Sequence, residues 1–292
     1  VLDSERWQLG CAAWLDYAND GLLDLLIVNG SSMEQLRRVV AGQAPEASKN
    51  GVYLFHNLGH GRFEDVTEKA GLSNPYWGTG ANAADYDNDG FTDILITTIG
   101  VDLLYRNNGN GTFSEVGAKA GLSRAVEWHT GSAFGDYDGD GYLDFYVAGY
   151  MDVHAITLGE PAPVCDYRGM AGFCGPIGLK GGRGVLYHNN GDGTFTDTTK
   201  KAGLAGVKPA HGFTPVFDDF NQDGKVDLFV ANDSDPNFLF VNQGDGTFRE
   251  EGLERGVAFN SDGHVQSNMG VAVGDYSNHG RLALLTTTFF DD

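Results

Sequence analysis

Carboxylates recur in this sequence at a spacing that suits a hard divalent cation. Three stretches follow the pattern D-x-[DN]-x-[DN]-G-x-x-D: Asp85, Asp87, Asp89 and Asp93; Asp136, Asp138, Asp140 and Asp144; and Asp219, Asn221, Asp223 and Asp227. In such a loop the first, third, fifth and ninth residues turn oxygens inward and a glycine at the sixth permits the bend. The seventh offers its carbonyl, here that of Phe91, Tyr142 or Lys225. Calcium accepts many oxygens in adaptable geometry, whereas magnesium demands a near-ideal octahedron and keeps its waters, so calcium is the expected cofactor. A fourth copy, Asp16, Asp20 and Asp24 with Leu22 at the carbonyl position, carries Ala18 in place of the third ligand and is expected to bind more weakly. In a fifth, Asp275 and Ser277 remain but His279 and Ala283 stand where acids should be, so hydrogen bonds within the loop could replace an ion. One such motif alone reads as a solvated turn. Several in register, each crowding like charges together, call for a counter-ion.

The loops open a repeat, and the repeat dictates the elements that position them. DYANDGLLDLLIV from Asp16 recurs as DYDNDGFTDILIT from Asp85, DYDGDGYLDFYVA from Asp136, DFNQDGKVDLFVA from Asp219 and, decayed, DYSNHGRLALLTT from Asp275. A second unit follows the first four: LFHNLGHGRFEDVTEKAGL from Leu54, LYRNNGNGTFSEVGAKAGL from Leu104, LYHNNGDGTFTDTTKKAGL from Leu186 and LFVNQGDGTFREEGLERGV from Leu239. The first unit reads as strand, acidic turn, strand, since runs such as DILIT and DLFVA are short, apolar and partly β-branched. The second reads as a hairpin whose turn holds the NGNG or NGDG cluster. Two hairpins make a four-stranded blade. The predicted fold is all-β: a β-propeller of four-stranded blades with calcium-binding DxDxDG loops, four complete repeats plus the first half of a fifth, occupying 1–292 as one domain. Leading aspartates are 69, 51, 83 and 56 residues apart, which locates two insertions. The first, 30–51, contains the helix-forming run MEQLRRVV and is expected on the rim. The second, 150–183, is a Gly- and Pro-rich loop.

The formal charge of -21 repels a phosphate backbone and excludes nucleic acid as the expected partner. No run is long and apolar enough for a transmembrane helix. The opening residues VLDSERWQ hold no leader, so an export signal is expected to have been removed or to lie outside this chain.

The pairing of DYDNDGFTDILIT with LYRNNGNGTFSEVGAKAGL resembles the FG-GAP/VCBS repeat family, and the AGL-ended second unit looks most like its ASPIC/UnbV-type branch, which includes cartilage acidic protein. The resemblance implies a secreted or surface protein acting in adhesion or recognition; related acidic loops also occur in polysaccharide lyase propellers.

Outside the loops, Trp77, Trp128 and His211 align in one column before the first strand of a blade, with His129 one position later. Near a channel mouth they could stack on a sugar or move protons; packing between blades is the alternative. Cys165 and Cys174 are expected to form a disulfide that pins the second insertion, while Cys11, in a column of small residues, is expected to be buried and unreactive. The functional expectation is a calcium-stabilised extracellular, cell-surface or periplasmic module for adhesion, recognition or assembly with a protein or glycan partner. A carbohydrate-binding or polysaccharide-cleaving propeller with its site at the channel mouth is the second reading. Oligomeric state is left open.

Overall fold

The computed structural model describes residues 10–46, 51–155, 164–167, 169–173 and 175–288. Each repeat folds into a four-stranded antiparallel meander. The first joins β1 (Cys11–Leu15), β2 (Asp24–Val28), β3 (Val52–Asn57) and β4 (Phe63–Asp65). The second comprises β5 (Trp77–Ala84), β6 (Asp93–Gly100), β7 (Leu103–Asn107) and β8 (Phe113–Glu115). β9 (Glu127–Gly135), β10 (Asp144–Met151), β13 (Val185–Asn189) and β14 (Phe195–Asp197) form the third, with the hairpin β11 (Val164–Tyr167) and β12 (Met170–Phe173) inserted after β10. The fourth is β15 (Gly212–Asp218), β16 (Asp227–Asn232), β17 (Phe238–Asn242) and β18 (Phe248–Glu250); a last hairpin, β19 (Asn268–Gly274) and β20 (Ala283–Thr288), follows. The fold is all-β and propeller-like. The ends of β6 and β9 also pair, Ile99 with Trp128 and Gly100 with Glu127, so the second and third sheets run together.

Alternation explains which strands sit deepest. β6 and the six residues of β16 are buried at every position, as a strand covered on both faces must be, whereas β2 and β3 of the outermost sheet alternate buried with half-buried. The core lies between successive sheets. Leu26, Leu54, Ile94 and Ile96 fill the first gap; Leu95, Leu104, Phe145 and Val147 the second; Leu186, Leu228, Val230 and Phe240 the third. At the two ends of the stack apolar side chains face outward: Trp14 is 57% and Leu285 is 64% exposed.

Two kinds of rung fix the spacing of the sheets. The alanine of each AGL segment is buried and its carbonyl accepts from the phenylalanine N–H of the next sheet: Ala70 from Phe113 (2.8 Å), Ala120 from Phe195 (2.7 Å), Ala202 from Phe248 (2.9 Å). The following glycine is left-handed, φ 88° at Gly121, and a Cβ there would lie 2.7 Å from the Phe195 carbonyl, so no other residue fits. The second kind links first strands: Thr79 Oγ1 donates to the His129 carbonyl (2.6 Å) and Thr130 Oγ1 to that of Gly212 (2.7 Å).

Both insertions have structure. MEQLRRVV forms α1 (Met33–Val40), capped by Ser32, whose side chain accepts from the Gln35 N–H, and seated through Leu36 and Val39. The β11–β12 hairpin is an addition to the expected loop; Gly169, at φ 86°, lies in its turn. Cys165 on β11 is disulfide-bonded, and its expected partner Cys174 lies outside the described residues. Cys11 is free and half-buried rather than fully covered, because it sits on the outermost sheet.

Candidate metal centres

Every acidic loop connects the first two strands of its sheet and holds the same backbone shape. The leading aspartate accepts from the fifth and sixth N–H groups of its own loop: Asp85 from Asp89 (3.1 Å) and Gly90 (2.8 Å), Asp136 from Asp140 (3.1 Å) and Gly141 (2.9 Å), Asp219 from Asp223 (3.1 Å) and Gly224 (2.8 Å), and Asp16 from Asp20 (3.1 Å) and Gly21 (2.8 Å). The closing aspartates Asp24, Asp93, Asp144 and Asp227 are wholly buried at the base of the second strand. Each accepts two backbone N–H groups, for Asp93 those of Tyr86 (3.2 Å) and Asn107 (2.7 Å).

Two loops draw their acids together. Asp85, Asp87 and Asp93 present oxygens within 4.8 Å of one another, as do Asp136, Asp138 and Asp144, and Asp138 and Asp140 meet His188 in the same way. Among the described residues, the loops of Asp16 and Asp219 bring no trio of acids or histidines so close. Numbered in chain order from Asp16, the fourth loop, that of Asp219, uses Asn221, whose Oδ1 accepts from Asp223 N–H at 2.9 Å, and its Lys225 ammonium lies on Asp223 at 2.9 Å. The fifth is self-satisfied: Asp275 accepts from the N–H groups of Ser277, His279 and Gly280 and from the Ser277 hydroxyl.

Burial pushes the Asp93 and Asp144 carboxyls up to about 7 against the pull of the N–H groups they accept, and neighbouring loop carboxylates add to the rise. Burial also raises Asp138 and Asp227. These anions are held where a cation would relieve them. Asp87 Oδ1 is buried without a hydrogen-bond donor, an orphan lone pair inside the second loop, and the oxygen-rich donor set around it fits calcium.

One column of residues bears on the loops without being evident from the acidic motif. The residue preceding the asparagine of the second unit lies over the loop of its own sheet. His56 Nδ1 is 2.9 Å from Asp24; Arg106 reaches Asp87 (2.5 Å) and Asp89 (2.6 Å); His188 Nδ1 is 3.2 Å from both Asp138 and Asp144. The fourth copy has Val241 there. A basic side chain in three of four aligned copies was the available signal.

The aromatic and histidine column lies at the far end of the first strands from the loops. Trp77 is buried beside Leu36, Ile99 and Val153. Trp128 packs on Tyr150 at 5.2 Å between ring centroids, and Tyr150 meets His211 at 5.8 Å while donating to Asp233 at 2.7 Å. His129 Nδ1 pairs with Asp102 (2.5 Å) and His211 Nδ1 with Asp235 (2.7 Å). Burial opposes the charge of His129, but the Asp102 carboxylate overrides it and raises the imidazole. Nε2 of both histidines is buried. The column is thus part of the packing between sheets, with its outer nitrogens turned away from solvent.

The repeat is that of a known family. Residues 16–96, 88–147 and 219–286 match the model of the FG-GAP-like repeat. Cartilage acidic protein 1 of Homo sapiens is 30% identical over 36% of this chain and 21% of its own length; that of Xenopus tropicalis is 32% identical over the same shares. The chain therefore spans about a fifth of the curated relatives it matches. Among solved structures it is similar to an Agrocybe aegerita lectin described as recognising non-reducing terminal N-acetylglucosamine, with TM-score 0.47, 19% identity, 95% of this chain and 60% of that one. It is also similar to the V. cholerae biofilm matrix protein Bap1, with TM-score 0.36, 15% identity, 84% of this chain and 39% of that one. Three matched stretches, together more than half of its residues and each carrying acidic loops between paired strands, establish that this chain belongs to the FG-GAP-like repeat family.

Proposed function

We propose that this protein is a calcium-stabilised β-propeller module for recognition or assembly outside the cytosol: extracellular, on a cell surface or in a periplasm. The observation that carries the reading is the convergence of Asp85, Asp87 and Asp93, and of Asp136, Asp138 and Asp144, around the buried closing carboxylates Asp93 and Asp144. When bound, calcium supplies charge neutralisation and a rigid oxygen cage. Asp85, Asp87, Asp89, Asp93 and the Phe91 carbonyl would hold one ion, and Asp136, Asp138, Asp140, Asp144 and the Tyr142 carbonyl a second. Asp219, Asn221, Asp223, Asp227 and the Lys225 carbonyl form a third site, and Asp16, Asp20, Asp24 and the Leu22 carbonyl a weaker fourth. Loops of this kind need no cytosolic sensor affinity where calcium is abundant, which supports the compartment. The single propeller domain over 1–292, with a protein or glycan partner on its surface, is the architecture this reading implies. The insertions at 30–51 and 150–183 are its most individual surfaces, since loops carry specificity more often than scaffolds do.

The test is thermal unfolding in calcium-free buffer with and without excess chelator, followed by titration of calcium into the chelated protein. Two sites each filled to about a hundred times their dissociation constant add roughly 5 kcal/mol, or about 10 °C for a domain of this size. Melting that is unmoved by chelation, in a protein that metal analysis finds calcium-free, would reject the proposal.

A further inference from the structure

Successive acidic loops are tied to one another by two sets of bonds. The asparagine that follows the basic column grips two loops at once. Asn107 donates its backbone N–H to Asp93 of its own loop (2.7 Å) and its side-chain Nδ2 to the Tyr17 carbonyl of the preceding loop (2.9 Å). Asn189 does the same with Asp144 (2.8 Å) and Tyr86 (2.8 Å), and Asn242 with Asp227 (2.8 Å) and Tyr137 (2.7 Å).

The second set runs from the fourth residue of one loop to the glycine carbonyl of the next. Asn19 Nδ2 donates to Gly90 (2.7 Å), Asn88 Nδ2 to Gly141 (2.9 Å) and Gln222 Nε2 to Gly280 (3.0 Å). That glycine carbonyl belongs to the peptide just before the residue whose own carbonyl is a ligand, Phe91 in the second loop and Tyr142 in the third. All three donors sit at positive φ, 53°, 59° and 61°. In the third loop the same position is Gly139, φ 76°, which has no side chain to donate. Among the described residues these two sets therefore link the first and second loops twice, and the second and third twice, whereas the third and fourth are linked once, through Asn242.

We infer that the first three loops bind calcium with positive cooperativity and that the coupling weakens between the third and fourth, where Gly139 omits a link. This rests on the calcium reading above. An ion that fixes one loop also fixes the Tyr carbonyl and the Asn amide that hold its neighbour, so the neighbour's ordering cost is already met when its own ion arrives. The asymmetry follows from the number of bonds crossing each gap.

The experiment is a calcium titration of the full chain, with calorimetry for affinity and native mass spectrometry to count ions per molecule. At half-saturation the wild type is expected to hold paired and tripled ions in excess of a random distribution. Removing the second loop with Asp85→Ala and Asp87→Ala is expected to weaken the first and third loops about fivefold or more. Removing the fourth with Asp219→Ala and Asp223→Ala should weaken the third less than twofold. Asn88→Gly, which copies the natural third loop and removes no ligand, should flatten the titration, and Gly139→Asn should steepen it. A random distribution of ions, with neighbouring affinities within twofold of wild type after loop removal, overturns the inference while leaving the calcium reading in place. A wild type that binds no calcium at saturation overturns both.

Discussion

Arg106 lays its guanidinium across the second acidic loop, with Nε 2.5 Å from Asp87 Oδ2. The arginine occupies the neighbourhood of the third and fifth ligands, and the ion pair with Asp87 raises its own protonation range further. On the calcium reading proposed above, an incoming ion would have to displace this cation before both carboxylates turn inward. Arg106→Gln is expected to tighten calcium binding at this loop about two- to fivefold, the range of a partly exposed ion pair, and to lower the melting point of the chelated protein by a degree or two. Calorimetry beside the wild type reads the first effect and calorimetric melting the second.

Asp93 and Asp144 give the metal-free protein a pH dependence. Their folded pKa of about 7 lies above the ordinary carboxylate range, so the folded state binds more protons than the unfolded between about pH 4 and 7. Stability from these groups is present at low pH and falls as pH rises through 7. The chelated protein is expected to melt about 5 °C lower at pH 8 than at pH 5.5. Excess calcium should cancel the trend, and calcium binding near pH 7 should release protons, read as a dependence of the calorimetric heat on the buffer used.

The rungs between sheets can be broken one at a time. Gly121→Ala would bring a Cβ to 2.7 Å from the Phe195 carbonyl in a left-handed residue, and is expected to cost about 2 to 4 kcal/mol in urea denaturation. Gly256→Ala, with φ 74° but open space around the new carbon, should cost only about 1 to 2 kcal/mol. Equal costs would show that the carbonyl contact adds nothing.

Phe145 anchors the second gap, fully buried and within 4.8 Å, centroid to centroid, of both Tyr187 and Phe195. Phe145→Ala is expected to cost about 3 to 5 kcal/mol, and Trp14→Ala, on the exposed outer face, less than about 1 kcal/mol. Denaturant midpoints of the two variants check the contrast.

How much of this was legible in the sequence depended on whether a feature repeats in phase. The strands around DILIT and DLFVA, the acidic loops and the AGL glycines recur at fixed offsets, so periodicity alone located them. Asn107, Asn189 and Asn242 also recur, but each reads locally as a hairpin-turn residue. Their second role depends on a carbonyl 90, 103 or 105 residues away, which no local pattern exposes. Asp102 and Asp235 lie in connections outside the repeating motif, so the pairing of His129 and His211 with them was not legible. The β11–β12 hairpin sits in an insertion present in one repeat only, where there is no second copy to compare.

The rung from alanine carbonyl to phenylalanine N–H has an architectural consequence. The second and third repeats carry both halves of the joint: a phenylalanine that plugs into the sheet before it and an alanine that receives the sheet after it; the fourth has the plug, Phe248, but Arg255 where the alanine would stand. Duplicating or deleting either of these two repeats leaves the other joints intact, because their plugs and sockets are the same residues in the same places. A chain built this way can change its number of sheets by recombination in a single step, while a change inside one joint must be matched by its neighbour.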